Sequence, residues 1–462
     1  MERTTAKKNK YEIDMCNGTI MDKLISFSLP LMLSGILQLM FNAVDIIVVG
    51  RFSGSQALAA VGSTSALINV FTNLFIGISL GANVLTARFY AAGREKEVSE
   101  TVHTAITLAL VSGIVMALVG LVFSKGALAL MGTPDDVIGL SALYMRIYFL
   151  GMPFFMLYNY GAAILRAVGD TKRPLLFLMI AGVINACLNM VLVIVFKLGV
   201  AGVAIATVIS QMISCVLVLR CLCRSESSYR LRFSELGMKG YYLKQIFSVG
   251  VPAGIQSTVI NFSNVLLQSS VNSFGSTAMA GYTAANNLLG FLYVSVNSIT
   301  QACMSFTSQN YGVGKLKRMD RVLADCMILS VVVAVVLGCI CYGFGPEILQ
   351  IYTEDAEVIA CGMEILAYTT ITYFLCGWMD LFPGALRGMG YSAVPMVLSV
   401  IGTVGTRVVW IFGIFPYHRS LAILFISYPA SWIITIVLQV ICFYFVRRRV
   451  HRRSRALSGQ EA

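Results

Sequence analysis

Twelve long apolar segments constrain the fold of this chain more than any other feature of its sequence. Hydrophobic residues make up 57% of the 462 residues and charged residues only 12%, which is about half the charged share of an average soluble protein. A disordered chain would need the opposite balance of low hydrophobicity and high charge. Each segment is long enough to cross a bilayer as a helix of about 20 residues, and none alternates as barrel strands do. The sequence therefore predicts an all-α membrane protein with twelve transmembrane helices.

Lysine and arginine are distributed unevenly between the two predicted sides of the membrane. With the N-terminus inside, 28 of the 34 basic residues fall in inner segments and four in outer segments, while Arg146 and Arg407 fall within spans. Basic loops are typical of the cytoplasmic side. The prediction is a multi-pass protein of the plasma membrane with both termini in the cytoplasm. The net charge of +12 is then explained by cytoplasmic loops, and no nucleic-acid partner is expected.

An internal repeat with an offset of 221 residues divides the chain into halves. Residues 52–60 recur in 274–280, and Leu165-Arg166-x-x-Gly169 recurs as Leu386-Arg387-x-x-Gly390. Two halves of six helices each have the same topology, which predicts two lobes related by a pseudo-twofold axis along the membrane normal, as in many secondary transporters. No P-loop motif is present, which disfavours direct use of ATP. The predicted organisation is a cytoplasmic tail (1–23), an N-lobe (24–222), a cytoplasmic linker (223–245), a C-lobe (246–446) and a basic cytoplasmic tail (447–462).

Three acidic residues lie well inside predicted spans, namely Asp45, Glu364 and Asp380. A carboxylate in hydrocarbon is costly, so each is a candidate functional group. Asp45 is the most informative, because it shares one helix face with other polar residues. That face is made of Ser34, Gln38, Asn42 and Asp45, spaced four, four and three residues apart.

A face of this kind should meet the bundle interior or a wet cavity, because lipid would penalise it. Desolvation favours the neutral form of a buried carboxyl group, so Asp45 is predicted to bind and release a proton. The alternative is a structural aspartate that is hydrogen-bonded to a neighbouring helix. Asp380 could likewise bind substrate or pair with Arg407, and Glu364 could simply be wet.

Other polar residues in the spans are candidates for a cavity lining or for contacts between helices. Asn185 and Asn189 are spaced i, i+4, as are Thr207 and Gln211, and this spacing also suits interhelical hydrogen bonds. In the second half, the seventh predicted helix carries a polar stripe without an acid, formed by Gln256, Asn264 and Gln268.

Three motifs resemble those of the multidrug and toxic compound extrusion (MATE) family. They are Val44-Asp45-Ile46-Ile47-Val48-Val49-Gly50-Arg51 with the following Ala57–Gly62, Leu165–Thr171 with Pro174, and Gly199–Thr207 with Ser210-Gln211. The resemblance extends from Leu24 to Val446. It implies two six-helix lobes, alternating access, and exchange of cationic drugs for H⁺ or Na⁺.

Carried over by position, the resemblance implies that Asp45 is the coupling acid. Asn185 and Thr207 match polar residues of the N-lobe cation site in the DinF-like branch, and Asn189 stands where many members have a second aspartate. The seventh-helix acid of the NorM-like branch has no counterpart, which favours a DinF-like mechanism. Phe41 and Tyr158 could stack on cationic rings.

The expected function is antiport of small organic cations by a monomer in the lipid bilayer, without a cofactor other than the coupling ion. A metal site is not expected, apart from weak Na⁺ binding at Asp45. The nearest rival is a flippase for a lipid-linked or other amphipathic molecule, which should have a basic cavity. An integral membrane enzyme is disfavoured, because His103, His418 and His451 are far apart and no catalytic motif is present.

Overall fold

The computed structural model of the chain describes residues 10–457. Within them, the prediction of an all-helical protein is confirmed. The parts of the predicted tails at 1–9 and 458–462 lie outside the described residues. The helices of the first half are α1 (Met21–Phe52), α2 (Ser55–Ala91), α3 (Glu95–Leu130), α4 (Asp135–Leu150), α5 (Met152–Ala167), α6 (Lys172–Asn189), a π-helical continuation of α6 (Met190–Val195) and α7 (Gly199–Cys223).

The second half repeats this order after a linker that contains a short 3₁₀ turn (Phe233–Glu235). Its elements are α8 (Gly240–Asn272), α9 (Ser276–Gly312), α10 (Leu316–Gly343), α11 (Gly345–Gln350), α12 (Ala356–Thr369), α13 (Tyr373–Gly388), α14 (Ala393–Ser399), a π-helical segment (Val400–Gly405), α15 (Thr406–Val409), a second π-helical segment (Trp410–Ile414), a 3₁₀ turn (Phe415–Tyr417) and α16 (Leu421–Leu457).

Eight helical spans in the described part of the chain are long and apolar enough to cross a membrane. Two bent pairs add two more spans when each pair is counted as one: α4 with α5 (47°) and α12 with α13 (51°). The less apolar α8 and α9 have 33 and 37 residues, and at 1.5 Å per residue each exceeds the thickness of the hydrocarbon core. Twelve spans, as predicted, are thus accounted for within residues 10–457.

The internal repeat is visible in the backbone as well as in the sequence. Glycines with positive φ end or begin helices at three pairs of positions, each pair 221 residues apart. The pairs are Gly54 (φ 89°) with Gly275 (101°), Gly93 (69°) with Gly314 (73°), and Gly169 (98°) with Gly390 (91°). Positive φ is readily accessible only to glycine, so the same turns are built twice. Each half also has one bent helix pair followed by a π-helical segment.

The helices form two compact units. Unit 1 comprises the residues up to Ile13 and Leu33–Gly254, and unit 2 comprises Asp14–Met32 and the residues from Ile255 onward. The predicted lobes, 24–222 and 246–446, differ from these units in the first parts of α1 and α8. The first part of α8 packs closely against α2 within unit 1.

Small residues permit that close packing of α2 and α8. A Cβ atom added at Gly77 would overlap the backbone of Gly254, and one added at Gly81 would overlap the carbonyl oxygen of Ile246. Gly113 of α3 meets Pro153, at the bend between α4 and α5, in the same way. In membranes, helix association depends on such backbone contact, because lipid and side chains are equally apolar. These contacts fix the positions of α2, α3 and the bend between α4 and α5 in unit 1.

Candidate functional site

A polar cavity of about 280 Å³ lies within unit 1. It is enclosed by residues of α1, α2, α4, α5, α6 and α7. Amides, hydroxyls and aromatic rings make up most of its wall. The lining residues are Gln38, Phe41, Asn42, Asp45, Asn69, Thr72, Asn73, Ile76, Tyr144, Tyr148, Phe155, Tyr158, Asn159, Leu178, Ala181, Gly182, Asn185, Thr207, Ser210, Gln211 and Ser214.

Asp45 is the one carboxylate among these lining residues, and none of them is a lysine, arginine or histidine. It forms no ion pair with any residue that the structure describes. In its ionised form it therefore gives the cavity a single uncompensated negative charge. The polar face of α1 that the sequence predicts is the face that brings Gln38, Asn42 and Asp45 to the cavity.

Two side chains from other helices donate hydrogen bonds to Asp45. The Asn189 amide, at the end of α6, donates to Oδ1 of Asp45 and also donates to Oδ1 of Asn185 at 3.1 Å. The Thr207 hydroxyl of α7 lies 3.4 Å from Oδ2 of Asp45 and 3.0 Å from the carbonyl oxygen of Val203. One hydroxyl proton cannot serve both acceptors, so Asn189 is the stronger partner of the carboxylate.

Asn189 is fully buried and does not line the cavity itself. Its amide nitrogen is used twice, whereas its Oδ1 atom has no hydrogen-bond partner in the described residues. The residue ends the α-helical part of α6, immediately before the π-helical turns of Met190–Val195. π-Helical insertions are frequent at functional sites. This one begins directly after Asn189, which donates a hydrogen bond to Asp45.

The aromatic candidates are placed at the wall of the cavity. The Phe41 ring packs directly over Gly182 of α6, where any side chain would overlap it. Tyr158 is buried and donates its hydroxyl proton to the carbonyl oxygen of Pro174 at 3.2 Å. Tyr144 and Tyr148 stack on one another with ring centroids 6.1 Å apart. The wall of the cavity therefore combines one carboxyl group with several aromatic rings.

Two candidates of unit 1 do not line the cavity, namely Asn189, described above, and Ser34. Ser34 lies on the same face of α1 as Gln38 and Asp45, but about 16 Å along the helix axis from Asp45 at 1.5 Å per residue. The periodicity that identifies the face does not mark where along the helix the cavity ends.

The four candidates of unit 2 do not line this cavity either. Gln256 accepts a hydrogen bond from Arg387 at 2.6 Å, and Asn264 accepts one from Arg407 at 2.7 Å. Gln268 is exposed and Asp380 is partly buried. Two of the three residues of the polar stripe on α8 are therefore hydrogen-bonded to arginines.

The suggested pairing of Asp380 with Arg407 is wrong. Arg407 is buried and donates to Ser263 and Asn264, and its guanidinium lies 4.8 Å from the centre of the Tyr428 ring. Two neutral acceptors and an aromatic face thus solvate this cation in place of the carboxylate. Glu364 is partly exposed on α12.

Several lining residues are absent from the sequence-based prediction. Asn69, Thr72 and Asn73 of α2 form a polar patch with spacings of three and four residues, and this signal could have identified them. Tyr144 and Tyr148 carry no comparable signal, because aromatic residues in apolar helices are usually packed in the core or exposed to lipid.

Comparison with known proteins decides the family. The MatE family model matches the chain twice, over residues 30–191 and 252–412. The chain belongs to the MatE family. The two matches also confirm the internal duplication, because the same model fits each half. The MatE chain is thus a multi-pass membrane transporter, and the predicted family is confirmed.

Curated relatives cover nearly the whole MatE chain. The probable multidrug resistance protein YoeA of Bacillus subtilis (strain 168) is 32% identical over 434 residues, which are 92% of this chain and 93% of YoeA. The multidrug export protein MepA of Staphylococcus aureus (strain NCTC 8325 / PS 47) is 22% identical over 382 residues, 82% of this chain and 84% of MepA.

Solved MATE structures share the fold. A MATE transporter crystallised in complex with MaL6 matches with a TM-score of 0.87 at 20% identity, over 95% of this chain and 98% of that chain. An outward-facing multidrug resistance MATE family transporter matches with a TM-score of 0.86 at 19% identity, over 96% and 99%. The predicted fold class, twelve helices in two lobes, is confirmed by this similarity.

Proposed function

We propose that this MatE transporter exports cationic amphipathic compounds in exchange for protons, by alternating access. The observation that carries the proposal is the cavity of unit 1, with Asp45 as its sole carboxylate and no basic residue in its lining. The names of YoeA and MepA, a probable multidrug resistance protein and a multidrug export protein, support an organic substrate. Aromatic and amide groups around the acid suit large, flat cations better than small hydrated ions.

Competition for one negative charge would couple the two fluxes. An ionised Asp45 attracts a cationic compound, and protonation removes that attraction. The Asn189 amide donor stabilises the ionised form. When the carboxyl is protonated, it becomes a donor itself, and the unpartnered Oδ1 of Asn189 is an acceptor within the same cluster. Protonation would thus rearrange the contacts of α1 with α6 and α7 and expel the compound.

Protons suit this cluster better than Na⁺ as the coupling ion. Cation cages of hard ions are built from several oxygen ligands, commonly with more than one carboxylate. Here the neutral Asn189 lies beside Asp45, at the position where an aspartate would add a second negative charge. The site therefore offers one carboxylate and neutral oxygens, which is sufficient for a proton.

The flippase alternative is disfavoured by the same cavity. A lipid-linked pyrophosphate would need cations to bind it, and the lining of the unit 1 cavity contains none. We further propose that the transporter acts as a monomer and lies in the plasma membrane with both termini in the cytoplasm. The distribution of its basic residues supports the orientation.

The test is transport in proteoliposomes that contain the purified full-length protein. Ethidium is the probe, and either a pH gradient or a Na⁺ gradient is imposed. We expect the pH gradient alone to drive ethidium movement, and Asp45→Asn to reduce the rate at least tenfold. Asp136→Asn, which neutralises an exposed acid at the start of α4, is the matched control and should transport normally.

Two results would contradict the proposal. Gradient-driven transport that persists in Asp45→Asn would remove this carboxyl from the mechanism. Transport driven by Na⁺ alone, and unaffected by the pH gradient, would overturn the choice of coupling ion while leaving the site in place.

A further inference from the structure

A second cavity, of about 270 Å³, lies in unit 2 between the beginning of α10 and the end of α16. Its lining consists of apolar side chains, one tyrosine, and the ion pair between Asp320 and Arg447. The residues are Asp320 and Leu323 of α10 with Val440, Phe443, Tyr444 and Arg447 of α16. We refer to these six residues as the α10–α16 groove.

The guanidinium of Arg447 is held firmly at the groove. Its Nε and Nη2 atoms donate to the two carboxylate oxygens of Asp320 at 2.8 and 2.7 Å. A bidentate pair of this kind fixes the plane of the guanidinium. Nη1 forms no hydrogen bond with the described residues, so Arg447 keeps a donor for a further acceptor.

The charge around this end of α16 is strongly positive. Arg448 lies over the Tyr444 ring at 4.7 Å, and the side chains of Arg449, Arg452 and Arg453 follow on the same helix and are exposed. One ion pair with Asp320 neutralises only one of these five cations. The residual charge follows the apolar part of a candidate span that runs from Leu421 to Ser454, and basic residues next to a span face the lipid headgroups.

The groove has an apolar body and a cationic end, which is complementary to an anionic amphiphile. Val440 is 43% exposed and Tyr444 45% exposed, so both are accessible from the outer surface of the unit. Basic residues that lie next to a membrane span attract anionic lipids, and basic pockets between spans bind their headgroups. Because the helices of the groove lie in the bilayer, phospholipid is always present there at high concentration.

We propose that the α10–α16 groove binds one anionic phospholipid, with its phosphate at Arg447 and Arg448 and an acyl chain along Leu323, Val440 and Phe443. This site is separate from the unit 1 cavity and does not depend on the transport mechanism. Bound lipid would hold the ends of α10 and α16 together, adding to the ion pair between them.

The experiment is native mass spectrometry of the detergent-purified full-length protein, titrated with dioleoylphosphatidylglycerol or dioleoylphosphatidylcholine. One molecule of the anionic lipid should bind at least tenfold more tightly than the zwitterionic one. Glycerol 3-phosphate, the headgroup without chains, should bind at least a hundredfold more weakly. Equal affinity for the two lipids, or tight binding of glycerol 3-phosphate, would overturn the proposal.

Two variant pairs test the place of binding. Arg447→Gln should weaken binding of the anionic lipid about tenfold, whereas Arg453→Gln, on the same exposed tail but outside the groove, should change it less than twofold. Val440→Trp fills the groove and should weaken binding of the lipid at least fivefold. Ile441→Trp, at the next position and equally open to lipid, should not.

The outcomes are separable even if one variant fails to fold. Equal losses in Arg447→Gln and Arg453→Gln would show diffuse attraction to the basic tail and overturn the site. Retained affinity in a folded Val440→Trp protein would overturn it independently. Thermal unfolding of each variant establishes whether it is folded.

Discussion

At the scale of single residues, the proposed transport cycle depends on the neighbours of one carboxyl group. Asp45 is accessible to a cavity, has no cationic partner in the described residues, and is held by donors from two other helices. These donors favour the ionised form of the carboxyl group but leave its charge in place. An ion pair with lysine or arginine would neutralise that charge. The proposed exchange requires a group of this kind, which binds either a proton or an organic cation.

The Asn189 donor should set the pH at which the cavity accepts a cation. In Asn189→Leu the ionised carboxylate loses a hydrogen bond of about 1.5–3 kcal/mol, so Asp45 retains its proton to higher pH. The midpoint of ethidium binding against pH should therefore move upward by about one to two pH units. Fluorescence titration of the purified protein between pH 5 and 9 measures it.

Thr207→Val is the graded comparison for this prediction. Because the Thr207 hydroxyl is closer to the carbonyl of Val203 than to Asp45, its loss should move the midpoint in the same direction by less. An unchanged midpoint in Asn189→Leu, or a larger shift in Thr207→Val, would contradict the assigned order of the two donors.

At the scale of elements, close helix contacts and helix breaks position the site. The bend of 47° between α4 and α5 brings Tyr148 and Tyr158 to one cavity, and it packs against α3 at Gly113. The π-helical turns after Asn189 interrupt α6 beside the carboxylate. A helix can cross a membrane without a bend or a π-helical turn. Here the bend and the π-helical turns both lie beside the cavity of unit 1.

Substitution at Gly113 should destabilise unit 1. In Gly113→Ala the new methyl group overlaps the backbone of Pro153, and overpacking of this kind costs about 1–3 kcal/mol. The thermal unfolding temperature of the Gly113→Ala protein in detergent should therefore fall by several degrees.

Gly126→Ala on the same helix is the control for that measurement. Apart from the backbone of its own helix and its chain neighbours, no described residue has an atom within 4 Å of the added methyl group there, and alanine is favoured over glycine in helices by about 1 kcal/mol. The unfolding temperature of this variant should be unchanged or slightly higher. Equal losses in the two variants would show that contact with the bend does not explain the effect, because helix propensity favours alanine at both positions.

At the scale of the whole molecule, much of the fold could be predicted because membrane helices follow from length and apolarity alone. The repeat was visible because turn glycines such as Gly54 and Gly275 keep their places 221 residues apart. The bends and π-helical turns could not be predicted, since they depend on packing between helices. The predicted domain boundaries and the orientation of the chain stay predictions.

The site was predictable in part, for physical reasons that differ between its residues. Asp45 stands out because a charge in an apolar helix is costly. Tyr144 and Tyr148 do not, because a tyrosine in a span has no such cost. The partners of the α8 stripe, Arg387 and Arg407, come from positions more than a hundred residues away, and periodicity within one helix contains no information about such pairs.

The orientation of the chain can be measured with reporter fusions. Green fluorescent protein fused after Ala462 should fluoresce in a bacterial host, and alkaline phosphatase fused there should be inactive, because the basic loops hold both termini inside. Phosphatase fused after Thr133, in the predicted outer loop between α3 and α4, should be active. The reverse pattern would contradict the assigned topology.

The most direct test of the central claim is to count the protons released when an organic cation binds to the purified protein. In weakly buffered detergent solution at a pH where Asp45 is largely protonated, ethidium binding to the wild-type protein should release close to one proton per molecule bound. Asp45→Asn should release none, while Asp136→Asn should match the wild type. Ethidium binding without proton release in the wild-type protein, or equal release in Asp45→Asn, would show that proton and cation do not share this carboxyl group.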